Sequence, residues 1–360
     1  MLLFFAIQLI FFFRFYNKIP SYKKKDFKTN SDPVSVIICA KNEAENLKKF
    51  LPSVLNQFYP EFEVIVVNDG STDDTEEVLN EFRRIYPHLY VTGIEGKRGY
   101  ISGKKVAQTL GIKAAKHDQL IFTDADCEPL SPNWIRHIQS NFMQKTQIVL
   151  AYGGYKPRKG FLNKWIRIDT VYNAMHYLSF ALIGIPYSAV GRNLAYRRSL
   201  FFENKGFASH LHIASGDDDL FVSETANRYN TAVEIHPESF TSSEPKTRWS
   251  HWIRQKRRHY TTSFRYKKTH KRILSLELIS REFFFLFGII LLIFWQLPGY
   301  VIIILLLREI LFAITFKLVM NRLKERNLLL LSLIYDIIWP VFAGLLVLRN
   351  KIAPKNPKWK

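Results

Sequence analysis

Leu120-Ile121-Phe122-Thr123-Asp124-Ala125-Asp126 is an apolar run that ends abruptly in two carboxylates one residue apart. Apolar β-formers followed by acids read as a buried strand that delivers its acidic end to a cleft. Paired carboxylates at such a place can hold a divalent cation, and a cation there can hold a diphosphate. The competing interpretation is an acidic surface turn after a strand, and the surrounding sequence decides between the two.

Upstream, strand and helix patterns alternate from Pro33 to about Asn230. Val34 to Ala40 reads as a strand. Glu43 to Asn56 reads as a helix with Leu47, Phe50, Leu51, Val54 and Leu55 on one face. Phe62 to Asn68 is the next strand, and Thr75 to Ile85 a helix striped by Val78, Leu79 and Phe82. Val91 to Ile94, Lys104 to Ala115 and Leu120 to Thr123 continue the series as strand, helix and strand. This alternation implies right-handed crossovers and a mainly parallel α/β sheet. Ligands of such sheets bind beyond the carboxyl ends of the strands, where the polar motifs fall.

The first strand ends in Ala40-Lys41-Asn42-Glu43, and the second in Asn68-Asp69-Gly70-Ser71-Thr72-Asp73. An acid at such an end can accept hydrogen bonds from a base or ribose edge, Gly70 permits a tight turn, and Ser71 or Asp73 can cap the next helix. Gly103-Lys104-Lys105 opens a helix, where backbone N–H groups and a lysine can meet phosphate. Further on lie Gly191-Arg192-Asn193, Ser215-Gly216-Asp217-Asp218-Asp219-Leu220 and Gln255-Lys256-Arg257-Arg258-His259. Three acids entering an apolar helix are also what N-terminal capping alone would produce. The basic stretch likewise fits an amphipathic helix lying on headgroups.

In this order, the motifs from Pro33 to about Tyr260 resemble the inverting family-2 glycosyltransferases of GT-A fold. The resemblance implies transfer of a sugar from a nucleotide-diphosphate sugar, UDP- or GDP-linked, with inversion at the anomeric carbon. It places Ala40, Glu43 and Asp69 at the nucleotide, and Lys104 near the nucleotide or its phosphates. Asp124 and Asp126 become an aspartate-any-aspartate motif for Mg²⁺ or Mn²⁺, with Asp126 the more direct ligand. Arg192 and Asn193 fall beside the donor sugar and acceptor. The family commonly carries Glu-Asp-any-acid-Leu where this chain has Gly216-Asp217-Asp218-Asp219-Leu220. Asp217 then matches the catalytic base, with Asp218 its neighbour and rival. Gln255 and Arg258 match a Gln-any-any-Arg-Trp motif near acceptor and diphosphate, with His259 in place of the Trp. A processive polysaccharide synthase and a catalytically silent membrane scaffold of the same fold are the alternative readings.

The chain has 360 residues and a formal net charge of +20. Its lysines and arginines crowd beside apolar runs, at Lys23-Lys24-Lys25 and from Arg254 to Arg272, as in proteins whose basic flanks face an anionic membrane surface. No helix-turn-helix, zinc-finger or RNA-binding signature accompanies the charge, so nucleic acid is not the expected partner. Cys39 and Cys127 are the only cysteines, too few for a disulfide framework. His176 and His210 match no metal-ligand spacing. The aromatic stretch Trp165 to Pro186 reads as a core or membrane-facing helix.

The expected organisation is a membrane anchor at 1–16, a linker at 17–32 and a transferase domain at 33–260. A basic juxtamembrane segment at 261–282, membrane helices at 283–348 and a basic tail at 349–360 follow. The first apolar run of about 16 residues would rise only roughly 24 Å as a helix. Pro298-Gly299 splits two apolar runs into a hairpin, with Arg308-Glu309 inside the second run paired internally or facing a protein-lined groove. A full third crossing would put the basic tail outside, which predicts a re-entrant last segment bent at Pro340. The whole reads as an integral protein of the inner or plasma membrane. Its catalytic domain would be cytoplasmic, and a membrane lipid or lipid-linked molecule its acceptor.

Overall fold

The computed structural model describes residues 1–23, 31–94, 103–213 and 215–352. Lys24, Lys25, Lys355, Lys358 and Lys360, which figure in the membrane expectations, lie outside the described residues. The chain divides into two compact units. One comprises Lys24–Lys156, Pro186–Pro245 and Asn356–Lys360; the other comprises Met1–Lys23, Pro157–Ile185 and Lys246–Lys355.

The first unit is built on a seven-stranded sheet. Its strands are β1 (Val34–Ala40), β2 (Phe62–Asn68), β3 (Leu89–Gly93), β4 (Gln119–Asp124), β6 (Ile148–Ala151), β8 (Leu194–Arg197) and β9 (Thr231–Glu234). They lie in the order β3-β2-β1-β4-β8-β6-β9. The pairs β1–β2, β1–β4, β2–β3 and β6–β9 are parallel, while β8 runs antiparallel to both neighbours. The mainly parallel α/β expectation therefore holds. A second sheet, short and with no counterpart in the sequence reading, joins β5 (Cys127–Pro129), β10 (Thr241–Ser243) and β7 (Gly153–Tyr155).

Every residue of β1 is buried, as expected of a central parallel strand covered on both faces. On one face Val36, Ile38, Val64 and Val66 pack with Leu47, Leu51 and Val54 of the helix Ala44–Leu55. On the other, the helix Lys104–Ala114 comes so close that a Cβ on Gly111 would meet Ile37 at 2.8 Å. Ser35 and Glu63 are buried in neighbouring strands, and Ser35 Oγ donates to Glu63 Oε1 at 2.7 Å. Register then sets the functional edge, for Ala40 lies opposite Asn68 and Cys39 opposite Asp124. Three strands thus finish together, and their polar continuations share one rim.

The second unit is helical. Leu2–Ile10, a π-helical stretch Phe11–Tyr16 and Lys18–Ser21 form a nearly continuous segment, longer than the 16-residue run expected. Ile19, fully buried, explains the extension. At 20 residues, Leu2–Ser21 is long and apolar enough to cross a membrane, as is Leu329–Arg349. Phe161–Leu182 is buried nearly all round, in keeping with a core helix. Trp249–Tyr260 carries the basic motif. Lys268–Ile293 begins well before the apolar run expected from Phe283, and Pro298–Arg322 follows it with Pro298 at the first turn, where its missing N–H costs nothing. Leu329–Ile352 continues as helix through Pro340.

Charges inside this unit are paired. Asp336, fully buried, accepts from Arg281 Nη1 at 3.1 Å and from Arg308 Nη1. Arg308 also donates to Glu309 at 2.8 Å and to Gln8 Oε1 at 3.1 Å. Gln8 Nε2 in turn donates to Ser280 Oγ at 2.7 Å. Arg308-Glu309 therefore pairs internally, as one of the two sequence options had it.

Candidate active site

At the end of β2, Asp69 is 1% exposed, and its backbone N–H donates to Ala40 O at 2.8 Å, joining two strand ends. Lys41 Nζ reaches Asp69 Oδ2 at 3.4 Å. Oδ1 has no hydrogen-bond partner among the described residues. Burial raises the Asp69 carboxyl above its usual range, against the pull of Lys41. An unsatisfied buried acceptor costs about 1–3 kcal/mol, so this one is poised for a donor from a ligand.

The loops around it are tied down by the residues expected to turn and cap. Asn42 takes a positive φ of 54°; its Oδ1 accepts from Thr72 N at 2.8 Å, and its N–H donates to Ser71 Oγ at 2.9 Å. Asp73 accepts from Ala44 N and Thr75 N, capping two helices at once. Glu43 is buried; its N–H donates to Thr75 Oγ1 at 3.0 Å and its Oε2 accepts from Asn46 at 2.5 Å. Ala40 and Glu43 therefore lie at the rim beside Asp69.

Lys104 sits at the centre of the arrangement. Its ammonium is 2.8 Å from Asp124 Oδ1 and 2.9 Å from Asp217 Oδ2. Residues nearly a hundred positions apart thus meet on one nitrogen. Burial works against that ammonium, yet Asp124, Asp217 and Asp218 outweigh it and raise the lysine well above its ordinary value. Lys104 thus holds two carboxylates together, and the resemblance places it near the nucleotide or its phosphates.

Asp217, Asp218 and Asp219 are all buried. Asp218 has both oxygens engaged by backbone, accepting from Asp219 N and from Gly191 N, each at 2.7 Å. Burial first, then the carboxylates of Asp217 and Asp219, push its pKa up to about 7, with Lys104 pulling the other way. It caps the helix Asp219–Thr225, so the capping interpretation holds for this residue. Gly216, where the family's acid would stand, has φ +100°, and a Cβ there would meet Leu220 Cδ1 at 2.6 Å. Gly216→Glu is therefore expected to destabilise the chain by about 1–3 kcal/mol from backbone strain. Chemical denaturation measures this cost.

Arg192 and Asn193 are engaged by protein. Arg192 Nε donates to Gly153 O at 2.8 Å, and the guanidinium stacks 4.6 Å from the Tyr155 ring centroid. Asn193 is 1% exposed. Its Nδ2 donates to Tyr152 O and Ser239 O, and its Oδ1 accepts from Trp134 Nε1 at 3.1 Å. These contacts make Asn193 a frame for the Gly191 turn. Lys105 goes beyond its expected role beside Lys104, since its Nζ donates to His210 O and Ile213 O at 2.5 and 2.9 Å, securing the segment before Asp217. The signal was present: Lys105, Gln108 and Ile112 share one helical face, and all three are buried.

Asp124, Asp126 and Cys127 offer ligand atoms within 4.8 Å of one another. The Cys127 thiol lies 2.8 Å from Ser243 Oγ and is buried, which leaves a pair of partly exposed carboxylates. Hard oxygen donors at a strand end fit Mg²⁺ or Mn²⁺. Gln255 and Arg258 belong to the helical unit, on Trp249–Tyr260. There Lys256 is the buried cation, 2.9 and 3.0 Å from the two oxygens of Asp169.

The chain has relatives. AglE of Haloferax volcanii, a glycosyltransferase, is 41% identical over 98 residues, 27% of this chain and 31% of its own. YdaM of Bacillus subtilis, a probable glycosyltransferase, is 28% identical over 242 residues, 62% of this chain and 54% of its own. The matches thus span about a third to a half of those relatives. The mannosyltransferase PcManGT from Pyrobaculum calidifontis, solved with GDP-Man and Mn²⁺, aligns over 97% of this chain and 96% of its own. Its TM-score of 0.59 at 18% identity shows a shared fold. The glycosyl transferase family 2 model matches residues 35–203, and the glycosyl transferase family group 2 model matches 120–348, more than half of the chain. With a GT-A-like sheet carrying these motifs on its rim, the chain belongs to the family-2 glycosyltransferases.

Proposed function

We propose that the protein transfers a sugar from a nucleotide-diphosphate sugar, with inversion, to a hydroxyl of a membrane lipid or lipid-linked acceptor. The observation that carries this reading is the Lys104 ammonium held between Asp124 and Asp217. The carboxylate proposed for the diphosphate and the carboxylate proposed for the acceptor share that one ammonium. The buried, unsatisfied Asp69 Oδ1 supplies an acceptor for a nucleoside N–H at the neighbouring strand end.

Each side chain then has a physical task. A sugar or lipid hydroxyl is a poor nucleophile near neutral pH, so a carboxylate must take its proton as the new bond forms. Asp217 suits this better than Asp218, whose oxygens are both engaged by backbone N–H groups. Lys104 holds Asp217 oriented before the acceptor arrives. Mg²⁺ or Mn²⁺ held by Asp124 and Asp126 would supply positive charge to offset the departing nucleotide diphosphate. Displacement on the face opposite the leaving group inverts the anomeric carbon, as in inverting glycoside chemistry. Membrane association is supported by the apolar segments Leu2–Ser21 and Leu329–Arg349, and the cytoplasmic side is proposed for the sheet unit from the basic flanks of the apolar runs. The resemblance assigns Gln255 and Arg258 to the same reaction.

Purified protein tested against a panel of nucleotide sugars with extracted membrane lipids checks the reading. Transfer to a lipid fraction from one donor is expected, abolished by chelation and restored by Mn²⁺ or Mg²⁺. Hydrolysis or transfer that is indifferent to chelator would contradict the assignment of Asp124 and Asp126.

A further inference from the structure

The sheet unit contains a second cluster with the chemistry of a cation site, separate in its residues from the aspartates. His137 lies on the helix Trp134–Gln139, His236 immediately precedes the 3₁₀ turn Pro237–Ser239, and Glu238 lies within it. Each offers one ligand atom, and the three atoms lie within 4.8 Å of one another. His137 is 6% exposed, and its Nε2 is 2.8 Å from Glu238 Oε2. The two imidazoles stack with centroids 4.2 Å apart and planes 6° from parallel. Asn133 Nδ2 approaches the same Glu238 oxygen at 3.4 Å, orienting the carboxylate from outside.

From this geometry we infer a transition-metal site of the Zn²⁺ class, ligated by His137, His236 and Glu238 with water in the fourth position. Two imidazoles are borderline donors that, joined by one carboxylate, suit Zn²⁺ or Co²⁺, whereas Asp124 and Asp126 offer only hard oxygens that suit Mg²⁺ or Mn²⁺. The two sites therefore sort cations by chemistry. With metal–ligand bonds of about 2.0–2.2 Å, a tetrahedral ion needs His137 Nε2 and Glu238 Oε2 roughly half an ångström further apart than they stand. Glu238 is part-exposed and able to yield that distance. Parallel rings cannot both aim an in-plane lone pair at one ion, so the solvent-accessible His236 turns about its Cβ–Cγ bond on binding.

Such an ion would clamp the two elements that grip Asn193. Trp134 of the His137 helix donates to Asn193 Oδ1, and Asn193 Nδ2 donates to the Ser239 carbonyl beside Glu238. Asn193 ends the short turn that begins at Gly191, whose N–H holds Asp218. The role is structural, since the ligands brace the frame of the pocket and none of them is among the residues assigned to the reaction.

The test is Co²⁺ titration of the full chain in detergent, with Mg²⁺ saturating the aspartates, followed by visible absorption. One equivalent of Co²⁺ with an intense visible band is expected. His236→Ala and Glu238→Gln should each weaken it at least about tenfold with unchanged far-UV circular dichroism. Both substituted residues are accessible to solvent, so folding should survive. A wild-type chain with no stoichiometric band would overturn the inference, as would a His236→Ala chain that keeps it. Because the readout is metal absorption, this outcome is independent of whether any sugar is transferred.

Discussion

Asp217→Asn is expected to lower the transfer rate by about 10²- to 10⁴-fold while donor binding survives. The substitution keeps the shape of the side chain and removes its ability to take a proton. Asp124 retains its contact with Lys104, so the rim that receives the diphosphate stays in place. Asp218→Asn is the matched comparison. There the loss falls on acceptance from Gly191 N and Asp219 N, and the expected cost is about 0.5–2 kcal/mol of stability with turnover retained. Steady-state rates beside donor titration separate the two outcomes. Near-normal turnover in Asp217→Asn would place the base elsewhere.

Asp336→Leu is expected to destabilise the helical unit by about 3–5 kcal/mol. Asp336 is the shared carboxylate between Arg281 and Arg308, which are 2% and 1% exposed. Its removal leaves two guanidinium groups buried with less negative charge to offset them. Desolvating those groups is costly, and aromatic neighbours such as Phe312, whose ring centroid lies 5.4 Å from the Arg308 guanidinium, offset only part of that cost. The triple variant Arg281→Met, Arg308→Met, Asp336→Leu should recover much of the loss, because it removes the charges with their partner. Thermal unfolding in detergent, read by size-exclusion of the heated protein, measures both. Unchanged melting of Asp336→Leu would mean the network contributes nothing to stability.

The left half of the sheet is legible in periodicity because its strands are long, β-branched and buried on both faces. Phe62–Asn68 and Thr75–Ile85 stand in the structure with the bounds their patterns predict. The strands β5, β7 and β10 are another matter. Each has three residues, and sequences such as Gly153-Gly154-Tyr155 and Thr241-Ser242-Ser243 carry no alternation long enough to read. Pairing with partners 88 or more residues away makes them strands, and that lies beyond local pattern. The same limit applies to Lys104: its place at the start of a helix is visible, but its two carboxylate partners are brought to it by topology. Asn193 shows the converse, since a polar residue in a suggestive motif proves to be held on every side by backbone and indole. Gly216 explains a departure from the family pattern, because its φ of +100° leaves no room for an acid's side chain.

The most direct test of the central claim is the anomeric configuration of the first glycoside formed from an α-linked nucleotide sugar, read by proton NMR. In-line displacement with Asp217 as base predicts a β-linked product. An α-linked product would contradict it.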